Sequence, residues 1–470
     1  MKSRIDRLLC NADHAASLIA DRQTVACGGF VGAAHPEALT AAIERRFHVE
    51  ACPRNLTLVY GAGQGDGRSR GLNHLAHEGL VARVIGGHWG LVPGLGQLAI
   101  DGKIEAYNFP QGVICQLLRD IAAGRPGCIT HVGLGTFIDP ADRGGSLNDS
   151  TIDELVSRIE LDGKPWLFYR SFPINTGLIR ATAADPFGNL VMDEEAVIGE
   201  VLPIAQAAHN SGGKVIAQVK RLLDRPAPPN QVKVPGILVD HAVIAEEAEH
   251  PQTFAESLNK SYFSARSNDD SSSVWEPEKV ALGVRRIIAS RACDELLPGA
   301  SANLRIGITE GIGLIAAERQ ILDQITLTVE SGPIGGIPAG GLSFGASAWP
   351  EAIIDQPAQF DFYDGGGLDY AALGAAQVDQ YGNVNVSKFH GRIAGVGGFV
   401  NISQNARRVV FCGTLTSGGL EVEIVDRELR IRNEGSIRKF VNHVEQVSFS
   451  GGVAAESGRE ILYVTERAVF

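Results

Sequence analysis

The sequence has no apolar run long enough to cross a membrane. Its 470 residues are 44% hydrophobic and 20% charged, yet no stretch approaches the roughly 18 uninterrupted apolar residues that a membrane span needs. The first twenty residues, MKSRIDRLLCNADHAASLIA, interrupt their apolar stretch with Asn11, Asp13 and His14. This pattern indicates an amphipathic helix rather than a signal peptide. We therefore expect a cytoplasmic protein with no membrane partner.

Cysteine is present but lacks the spacing of a disulfide framework or a zinc site. The seven cysteines are odd in number and none forms a CxxC pair, which argues against both kinds of site. They are Cys10, Cys27, Cys52, Cys115, Cys128, Cys293 and Cys412. We expect buried or idle thiols.

The sequence has fewer basic than acidic residues. Lys and Arg total 42 against 54 Asp and Glu, and the formal net charge is -12 at pH 7. Binding to nucleic acid requires clustered Lys and Arg that neutralise phosphates. The composition therefore disfavours a nucleic-acid partner, and any anionic ligand must be met by a local site.

The chain does contain a repeated alternation of short apolar strands with helical segments. TVACGGF precedes HPEALTAAIERRF, and NLRIGIT precedes EGIGLIAAERQ. Alternation of this kind predicts an α/β protein with mostly parallel sheets covered by helices. A chain of this length is too long for one core, so two or three domains are expected.

A polar, serine-rich segment divides the chain. ESLNKSYFSARSNDDSSSVW, residues 256–275, is poor in aliphatic residues and is expected to be an exposed connection. We therefore assign an N-terminal domain to residues 1–255, a linker to residues 256–276 and a C-terminal domain to residues 277–470.

The two halves echo each other in sequence. Residues 55–61, NLTLVYG, parallel residues 324–330, QITLTVE, and residues 185–189, DPFGN, parallel residues 379–383, DQYGN. We infer two related open α/β domains that arose by duplication. The spacing between the two motifs is longer in the first half, so that half carries extra material.

Glu330 stands at the end of the predicted strand ITLTV and is followed by glycine after glycine in TVESGPIGGIPAGG. The register of the repeat places Gly61 at the equivalent position, so the role of Glu330 is confined to the second half. Ligands of open α/β sheets bind beyond the carboxyl ends of the strands. The alternative, on the pattern alone, is a carboxylate that only accepts backbone N–H groups or caps the next segment.

The glycines behind Glu330 suggest a reachable carboxylate. They stand at 332, 335, 336, 340 and 341, where the absence of side chains lets backbone or ligand approach closely. A glutamate side chain in water has a pKa of about 4.3, so it is ionised at neutral pH. It can attack a thioester without a partner base. We expect the carboxylate to be exposed.

Seven sequence blocks follow one another along the chain: GGFVGAAHPEAL, YGAGQGDG, IGGHWGLVPGLGQLA, YNFPQG, TVESGPIGGIPAGG, DFYDGGGLD and GVGGFVNISQNA. Together they are more specific than any single motif. With them the sequence resembles the family I CoA-transferases, in particular the single-chain acyl-CoA:acetate or propionate CoA-transferase branch, and is similar to the 3-oxoacid CoA-transferases. The resemblance implies the duplicated CoA-transferase fold.

The resemblance also implies a ping-pong transfer of CoA from a short-chain acyl-CoA to an acceptor carboxylate such as acetate. Glu330 would attack the donor thioester to give an acyl anhydride, and the released CoA thiolate would then form a glutamyl-CoA thioester. An acceptor carboxylate would reverse these steps. Coenzyme A is thus a substrate, no permanently bound cofactor is expected, and the family analogy implies a homo-oligomer.

Further site residues follow from the same resemblance. The side-chain amide of Gln111 and the backbone N–H of Gly397 or Gly398 would stabilise the tetrahedral oxyanion. Without the family context, Gln111 after Pro110 reads as an ordinary first helical residue. GGFVG at 28–32 is expected to be structural or to shape the acyl pocket.

Coenzyme A is expected to lie over the second half. The turn matching the CoA-contacting loop of the family consists of Gly307, Ile308, Thr309, Glu310 and Gly311. Lys388 and Arg392 are candidate phosphate partners, although a single Lys or Arg is more often a solvated surface charge.

Other readings of the motifs are less favourable. GAGQGDG imitates a dinucleotide fingerprint, but its spacing is wrong and GDGRSRG delays any helix that could receive a pyrophosphate. His88 has no second histidine or paired cysteine at metal spacing, so we expect a packed loop histidine and no metal. A CoA-ester hydrolase using the same glutamate and a non-catalytic acyl-CoA-binding protein stay open as alternatives.

Overall fold

The structure, a computed structural model, describes residues 3–266, 280–305, 307–426 and 428–470. Within these ranges each half of the chain forms a large sheet with helices packed on it. This architecture confirms the predicted α/β class. None of the helices in the described ranges combines the length and the apolar character needed to cross a membrane.

The helices are short to medium in length. In chain order they are α1 (Arg4–Leu8), α2 (Ala12–Ser17), α3 (Glu37–Glu50), α4 (Pro93–Ile100), α5 (Gln111–Ala122), α6 (Val201–Asn210), α7 (Val284–Cys293), α8 (Glu310–Glu318), α9 (Gln356–Asp364), α10 (Phe399–Asn405) and α11 (Gly451–Glu456). In α5, Val113, Ile114, Leu117, Leu118 and Ile121 recur at helical spacing and are all buried. This apolar stripe is the face on which α5 packs, and its main helical neighbours are α6 and α9.

The first half is built on one long sheet. Its strands are β1 (Leu9–Cys10), β2 (Thr24–Cys27), β3 (Leu56–Tyr60), β4 (Val81–Gly86), β5 (Glu105–Asn108), β6 (Gly127–Thr130), β7 (Val156–Leu161), β8 (Lys164–Arg170), β9 (Thr176–Ala184), β10 (Leu190–Val191), β11 (Lys214–Leu222), β12 (Val232–Val234) and β13 (His241–Ile244). The parallel order is β1-β13-β11-β9-β2-β3-β4-β5. β10 and β12 attach in antiparallel fashion, and β6, β7 and β8 form a separate antiparallel sheet.

The second half repeats the plan with a smaller main sheet. Its strands are β14 (Ser301–Leu304), β15 (Thr326–Thr328), β16 (Pro333–Ile334), β17 (Ile337–Pro338), β18 (Ser347–Ala348), β19 (Ala352–Ile353), β20 (Tyr370–Gly374), β21 (Gln377–Asp379), β22 (Val384–Asn385), β23 (Lys388–Phe389), β24 (Arg392–Ile393), β25 (Arg408–Cys412), β26 (Thr416–Ser417), β27 (Glu421–Val425), β28 (Glu428–Asn433), β29 (Ile437–Arg438), β30 (Phe440–Val441) and β31 (Glu460–Val464). The main sheet has the order β19-β16-β15-β14-β20-β25-β31. Its pairings are parallel from β15 to β31 and antiparallel from β15 to β19.

The sequence repeat has a matching geometry in the two DxxGN turns. In each turn the aspartate Oδ1 accepts from the backbone N–H groups two and four residues later, at 2.8 and 2.9 Å for Asp185 and at 2.9 and 3.0 Å for Asp379. The turn glycines, Gly188 and Gly382, have φ of +80° and +74°, which an L side chain rarely adopts. The same local interactions therefore recur in both halves.

The N-terminal segment differs from the single helix that its sequence predicts. α1 ends at Leu8, and Leu9 and Cys10 pair in parallel with β13. Asn11 then starts α2 by accepting a hydrogen bond from the backbone N–H of His14 at 2.7 Å. The N-cap preference of asparagine therefore divides the helix, and the sheet gains an edge strand.

The predicted linker at 256–276 lies only partly within the described residues. Its first part is not wholly exposed, because Tyr262 is 6% exposed and packs with Ala196 and Ala346. The Tyr262 hydroxyl donates to Glu256 Oε2 at 2.6 Å. This ring therefore ties the segment to both halves, and the expectation of full exposure is wrong for residue 262. The domain bounds themselves stay a prediction.

The cysteines are all free. Five are buried, and Cys10 and Cys52 are partly exposed. Burial raises the pKa of the Cys115 thiol well above its usual range, which makes this thiol a poor nucleophile. The prediction of buried thiols is confirmed for these five cysteines.

Candidate active site

Residues that follow four parallel strands meet around one cavity of about 410 Å³. His88 and Gln111 come after β4 and β5 of the first sheet, and Arg305 and Glu330 come after β14 and β15 of the second. We call this space the glutamate cavity. Its position beyond the carboxyl ends of the strands is the usual binding position in open α/β sheets.

Glu330 is buried, with an exposed fraction of only 1%. Asn303 Nδ2 donates to its Oε2 at 3.3 Å, and the Arg305 guanidinium lies 3.9 Å from its Oε1. Within the described residues Oε1 accepts no hydrogen bond. One carboxylate oxygen is thus held in place, while the other faces a cavity and keeps its lone pairs. The expectation of an exposed carboxylate is wrong, since the group is reached only through the cavity.

The glycines behind Glu330 explain this burial. A Cβ on Gly332 would lie 2.1 Å from the Ile354 carbonyl oxygen, and one on Gly336 would lie 2.3 Å from that of Ala348. These glycines therefore allow backbone to pack on backbone and fold the following loop over the carboxylate. Gly341 differs, because it lines the glutamate cavity and, apart from its chain neighbours, no heavy atom of the described residues lies within 4 Å of its Cβ position.

Gln111 is the first residue of α5, after Pro110. Its backbone N–H donates to the Gly397 carbonyl at 2.9 Å, which fixes the start of the helix against the second half. Its side chain lines the glutamate cavity, and within the described residues its Nε2 has no hydrogen-bond partner. An amide donor without a partner is therefore present beside the carboxylate.

Gly397 and Gly398 differ in the state of their N–H groups. The Gly397 N–H already donates to the Gly87 carbonyl at 2.8 Å. The Gly398 N–H has no partner in the part of the chain that the structure describes, and a Cβ on Gly398 would lie 3.5 Å from Glu330 Cγ. Of the two predicted backbone donors, only Gly398 is therefore free, and it abuts the nucleophile candidate.

His88 and Arg305 are site residues that the sequence analysis did not identify. Both line the glutamate cavity and also a larger cavity of about 720 Å³, which we call the basic cavity. Burial, with a smaller effect of the Arg305 charge, lowers the pKa of His88 to about 4, so its ring is neutral at pH 7. The sequence position of Arg305 could have identified it. Arg305 directly follows β14, and β14 pairs with β15, the strand that precedes Glu330.

The basic cavity carries two further basic side chains besides Arg305. Arg392 and Lys439 line it, as does the His390 ring, and burial lowers the pKa of Lys439. Lys388 does not belong to this group, because its Nζ donates to the Leu147 carbonyl at 2.8 Å. The structure thus brings Arg392 to the cavity but not Lys388.

The predicted CoA loop at 307–311 lies next to Arg305. The Thr309 hydroxyl donates to the Arg305 carbonyl, and Arg285 donates to the Gly307 carbonyl at 2.6 Å. Ile308 and Gly311 pack toward the core of the second half. In the described chain none of these five residues lines the basic cavity. Glu310 instead lines a third cavity of about 300 Å³, the rear cavity.

Apolar side chains form the wall of the glutamate cavity opposite the polar groups. Phe30 and Val31 come from the GGFVG block, and Leu342 and Phe344 come from the loop after Glu330. The rings of Phe30 and Phe344 lie 5.7 Å apart. Phe344 also lines the rear cavity. The cavity is therefore apolar on one side and polar around Glu330.

A second buried carboxyl, that of Glu200, lies behind Gln111. It is 0% exposed, and within the described residues both carboxyl oxygens lack partners outside their own residue. A Cβ on Gly61 would lie 3.7 Å from Glu200 Oε1 and 3.5 Å from Gln111 Cγ. Gly61 thus leaves room for both side chains. Burial raises the pKa of Glu200 from 4.5 to about 8.

Replacing Glu200 with Gln is expected to remove a pH-dependent loss of stability. Between pH 4.5 and about 8, Glu200 is still protonated in the folded chain but already ionised in the unfolded chain. The free energy of unfolding therefore falls by up to about 1.4 kcal/mol per pH unit in that interval. Glu200→Gln should match the parent near pH 5 and gain thermal stability over it toward pH 8. Thermal unfolding at pH 5, 6.5 and 8 measures this.

The matched control for this series is Glu247→Gln, which changes an exposed glutamate. We expect its thermal midpoint to follow that of the parent at every pH. A constant difference between Glu200→Gln and the parent across the three pH values would contradict the assignment of a raised pKa to Glu200.

Comparison with known proteins identifies the class that this fold and site define. The family model described as "Coenzyme A transferase" matches residues 10–245. Acetate CoA-transferase YdiF of Escherichia coli (strain K12) is 42% identical over 463 residues, covering 98% of this chain and 86% of the relative. The protein therefore belongs to the coenzyme A transferase family.

Two further relatives extend this result. Caffeate CoA-transferase of Acetobacterium woodii is 43% identical over 475 residues, covering 98% of this chain and 88% of the relative. A crystal structure of the acyl-CoA transferase YdiF from Escherichia coli O157:H7, in a thioester complex with CoA, matches with a TM-score of 0.92 at 40% identity. It covers 98% of this chain and 87% of that one. These relatives support a CoA-transferase that acts on CoA thioesters.

Proposed function

We propose that the protein transfers CoA from a short-chain acyl-CoA to an acceptor carboxylate by ping-pong catalysis, with Glu330 as the nucleophile. The observation that carries this proposal is that the side chains of Glu330 and Gln111 line one cavity, and that among the described residues neither Glu330 Oε1 nor Gln111 Nε2 has a hydrogen-bond partner. Nucleophile and oxyanion donor thus come from different halves of the chain and meet in one space.

The reaction begins when Glu330 Oε1 attacks the thioester carbonyl of the donor. The C–S bond breaks, CoA leaves as a thiolate and an acyl-glutamyl anhydride forms. The thiolate then attacks the glutamyl carbonyl, which releases the donor acid and leaves CoA on Glu330 as a thioester. An acceptor carboxylate attacks that thioester, and the returning thiolate takes the new acyl group from the anhydride. Each attack conserves an activated acyl bond, so ATP is not required.

Each tetrahedral intermediate carries an oxyanion that needs hydrogen-bond donors. Gln111 Nε2 and the Gly398 N–H lie next to Glu330, and neither has a hydrogen-bond partner among the described residues. The Gly397 N–H is occupied by Gly87, so Gly397 serves by holding the loop and Gln111 in place through its carbonyl. A glutamine amide donates without titrating, which keeps this donor active over a wide pH range.

The Arg305 guanidinium brings a permanent positive charge to 3.9 Å from Glu330 Oε1. It lies where the glutamate and basic cavities meet, so it attracts the acceptor carboxylate and the leaving thiolate. Neutral His88 on the same boundary adds no competing charge. We place the pantetheine arm across this boundary and the CoA phosphates among the cations of the basic cavity.

The acyl group occupies the apolar side of the glutamate cavity. Acetate is the acid in the name of one relative and caffeate that in the name of another. A volume of about 410 Å³ exceeds the need of an acetyl group, so propionyl and somewhat larger acyl groups also fit. We therefore propose short-chain acyl-CoA donors, with acetate as one acceptor.

Phe344 is expected to set the upper limit of acyl length, because its ring lines both the glutamate and the rear cavity. Phe344→Ala should connect the two and admit longer chains. Each methylene that enters the rear cavity is worth about 0.8 kcal/mol, so kcat/KM should rise about fourfold per added methylene relative to acetyl-CoA. Steady-state rates over an acyl-CoA series from two to ten carbons measure this profile.

The control for this series is Phe187→Ala, which removes an exposed ring and should keep the parent profile. A folded Phe344→Ala protein with an unchanged dependence on chain length would show that the ring does not limit the acyl site. The parent is measured with acetyl-CoA in the same series. An inactive parent would contradict the proposed transferase function, whereas an active parent and a Phe344→Ala variant with the same chain-length profile would contradict only the role of Phe344.

Hydrolysis of acyl-CoA is the second candidate function, since water can replace the acceptor acid at either glutamyl intermediate. The burial of Glu330 favours transfer, because a carboxylate that is 1% exposed is shielded from bulk water. Measuring thioester consumption with and without added acetate separates the two. We expect turnover only with the acid, and CoA release at the full rate without any acid would defeat the transferase proposal.

A further inference from the structure

Outside the cavities, three potential metal ligands converge at the C-terminal part of α3. Glu44 and His48 stand one helical turn apart on α3, so they share a face. His77 reaches them from the loop between β3 and β4. One ligand atom from each of the three lies within 4.8 Å of the other two. We call these residues the α3 cluster, and none of them lines the glutamate, basic or rear cavity in the described chain.

The spacing of the α3 cluster is close to that of a metal site. His77 Nε2 lies 2.8 Å and His48 Nε2 lies 3.9 Å from Glu44 Oε1. Ligand atoms about 2.1 Å from a tetrahedral zinc ion lie about 3.4 Å from one another. The two separations lie on either side of that value, so changes of about half an ångström, within the reach of side-chain torsions, would bring both to it. The ligand atoms of His48 and His77 lie within 4.8 Å of each other.

The carboxylate of the cluster is oriented from behind by a chain of hydrogen bonds. His74 Nδ1 bonds to Glu44 Oε2, and His74 Nε2 lies 2.9 Å from Glu37 Oε1. Glu37 Oε2 in turn accepts from the Gly71 N–H at 2.9 Å. Such outer hydrogen bonds fix metal-binding carboxylates in proteins.

The two histidines are also held near each other. Their ring centroids lie 4.6 Å apart in an edge contact, and the His77 ring stacks on Phe47 at 6.0 Å. Their side chains remain accessible, with exposed fractions of 58% for His48 and 28% for His77. An ion can therefore reach the cluster from solvent without any opening of the fold.

We propose that Glu44, His48 and His77 form a binding site for a divalent transition metal ion of the zinc class. Two imidazoles and one carboxylate are ligands that Zn²⁺ accepts well, whereas Mg²⁺ and Ca²⁺ prefer oxygen ligands alone. Three protein ligands leave a fourth position for water. Binding of the metal replaces the hydrogen bond between His77 Nε2 and Glu44 Oε1.

This site could not be identified from sequence spacing. His77 is remote in sequence from Glu44 and His48, and only the packing of the loop against α3 unites them. The sequence-based expectation of no metal rested on the surroundings of His88 and on the absence of paired cysteines. Because the cluster is separate from Glu330, its occupancy is expected to tie α3 to the loop rather than to take part in CoA transfer.

The test is a zinc titration of the full, tag-free chain after chelator treatment, read by calorimetry and by thermal unfolding. We expect one Zn²⁺ per chain and a thermal midpoint that rises with zinc concentration, because a ligand that binds only the folded state stabilises it. His48→Ala and His77→Ala should each weaken binding at least tenfold. Both remove accessible side chains, so the folded proteins remain available for measurement.

His209→Ala is the matched control, since it removes an exposed histidine at the end of α6. It should bind zinc as the parent does. Cobalt provides a second readout, because tetrahedral Co²⁺ at the site gives visible absorption that the two cluster variants should lose. Absence of one-to-one zinc binding in the parent, or equal affinity in the parent and in both cluster variants, would overturn the proposal.

Discussion

Glu330→Gln is expected to abolish CoA exchange between acids, with a rate loss on the order of 10⁴- to 10⁶-fold, as for the removal of other covalent nucleophiles. The amide keeps the size of the side chain but cannot attack a thioester or carry CoA. Its contact with Asn303 can be kept through the amide oxygen, so the fold should survive. Initial rates of acetate-dependent exchange with acetyl-CoA or propionyl-CoA measure the loss.

The matched control is Glu351→Gln, a glutamate in the loop after Glu330 whose side chain is exposed. It should exchange CoA at the parental rate. Thermal unfolding of both variants establishes that any loss is catalytic. A Glu330→Gln protein that is folded and retains even a tenth of the parental rate would remove Glu330 from the mechanism.

Gln111→Met is expected to lower kcat by about 10² to 10³, the usual effect of removing one oxyanion donor. Methionine has a similar length and no N–H group, so the helix start is kept while the donor is lost. The amide acts on the intermediate rather than on the ground state, so KM for acyl-CoA should change little. Steady-state kinetics at saturating acetate give both parameters.

Gln97→Met provides the control, because Gln97 is exposed on α4 and its amide donates to the Asp101 carboxylate at 2.8 Å. We expect parental kcat and KM for this protein. An effect of Gln111→Met on KM alone, with kcat unchanged, would assign Gln111 to ground-state binding and leave Gly398 as the sole oxyanion donor.

Much of the fold was accessible from the sequence because its signals are local. Each of these signals is encoded by residues that are close together in the sequence. This holds for the alternation of strands and helices, for the glutamate at the end of ITLTV and for the DxxGN turns. The two turns fold alike because an aspartate and a positive-φ glycine recur at the same spacing. The proposed role of Gln111 came instead from the family resemblance, because Pro110 and the helix start beside it indicate only an ordinary first helical residue.

The missed features arise from contacts between segments remote in sequence. The Gly397 N–H is occupied by Gly87 of the other half, which no local pattern encodes. Lys388 turns to the Leu147 carbonyl, although its charge and position suggested a phosphate partner. Glu330 is buried because Gly332 and Gly336 allow the loop after it to pack closely against the backbone of residues 348 and 354. Each outcome depends on which backbone surfaces meet.

The most direct measurement of the central claim is the mapping of the covalent intermediate. The protein is mixed with acetyl-CoA without acceptor acid. One sample is treated with borohydride, which reduces the thioester, and another is quenched with the thioester intact. Both are digested for peptide mass spectrometry. We predict that the CoA adduct, or its reduced alcohol, occurs on Glu330 alone and disappears on addition of acetate before the quench. Modification of a cysteine or of another carboxylate, with Glu330 unmodified, would contradict the account.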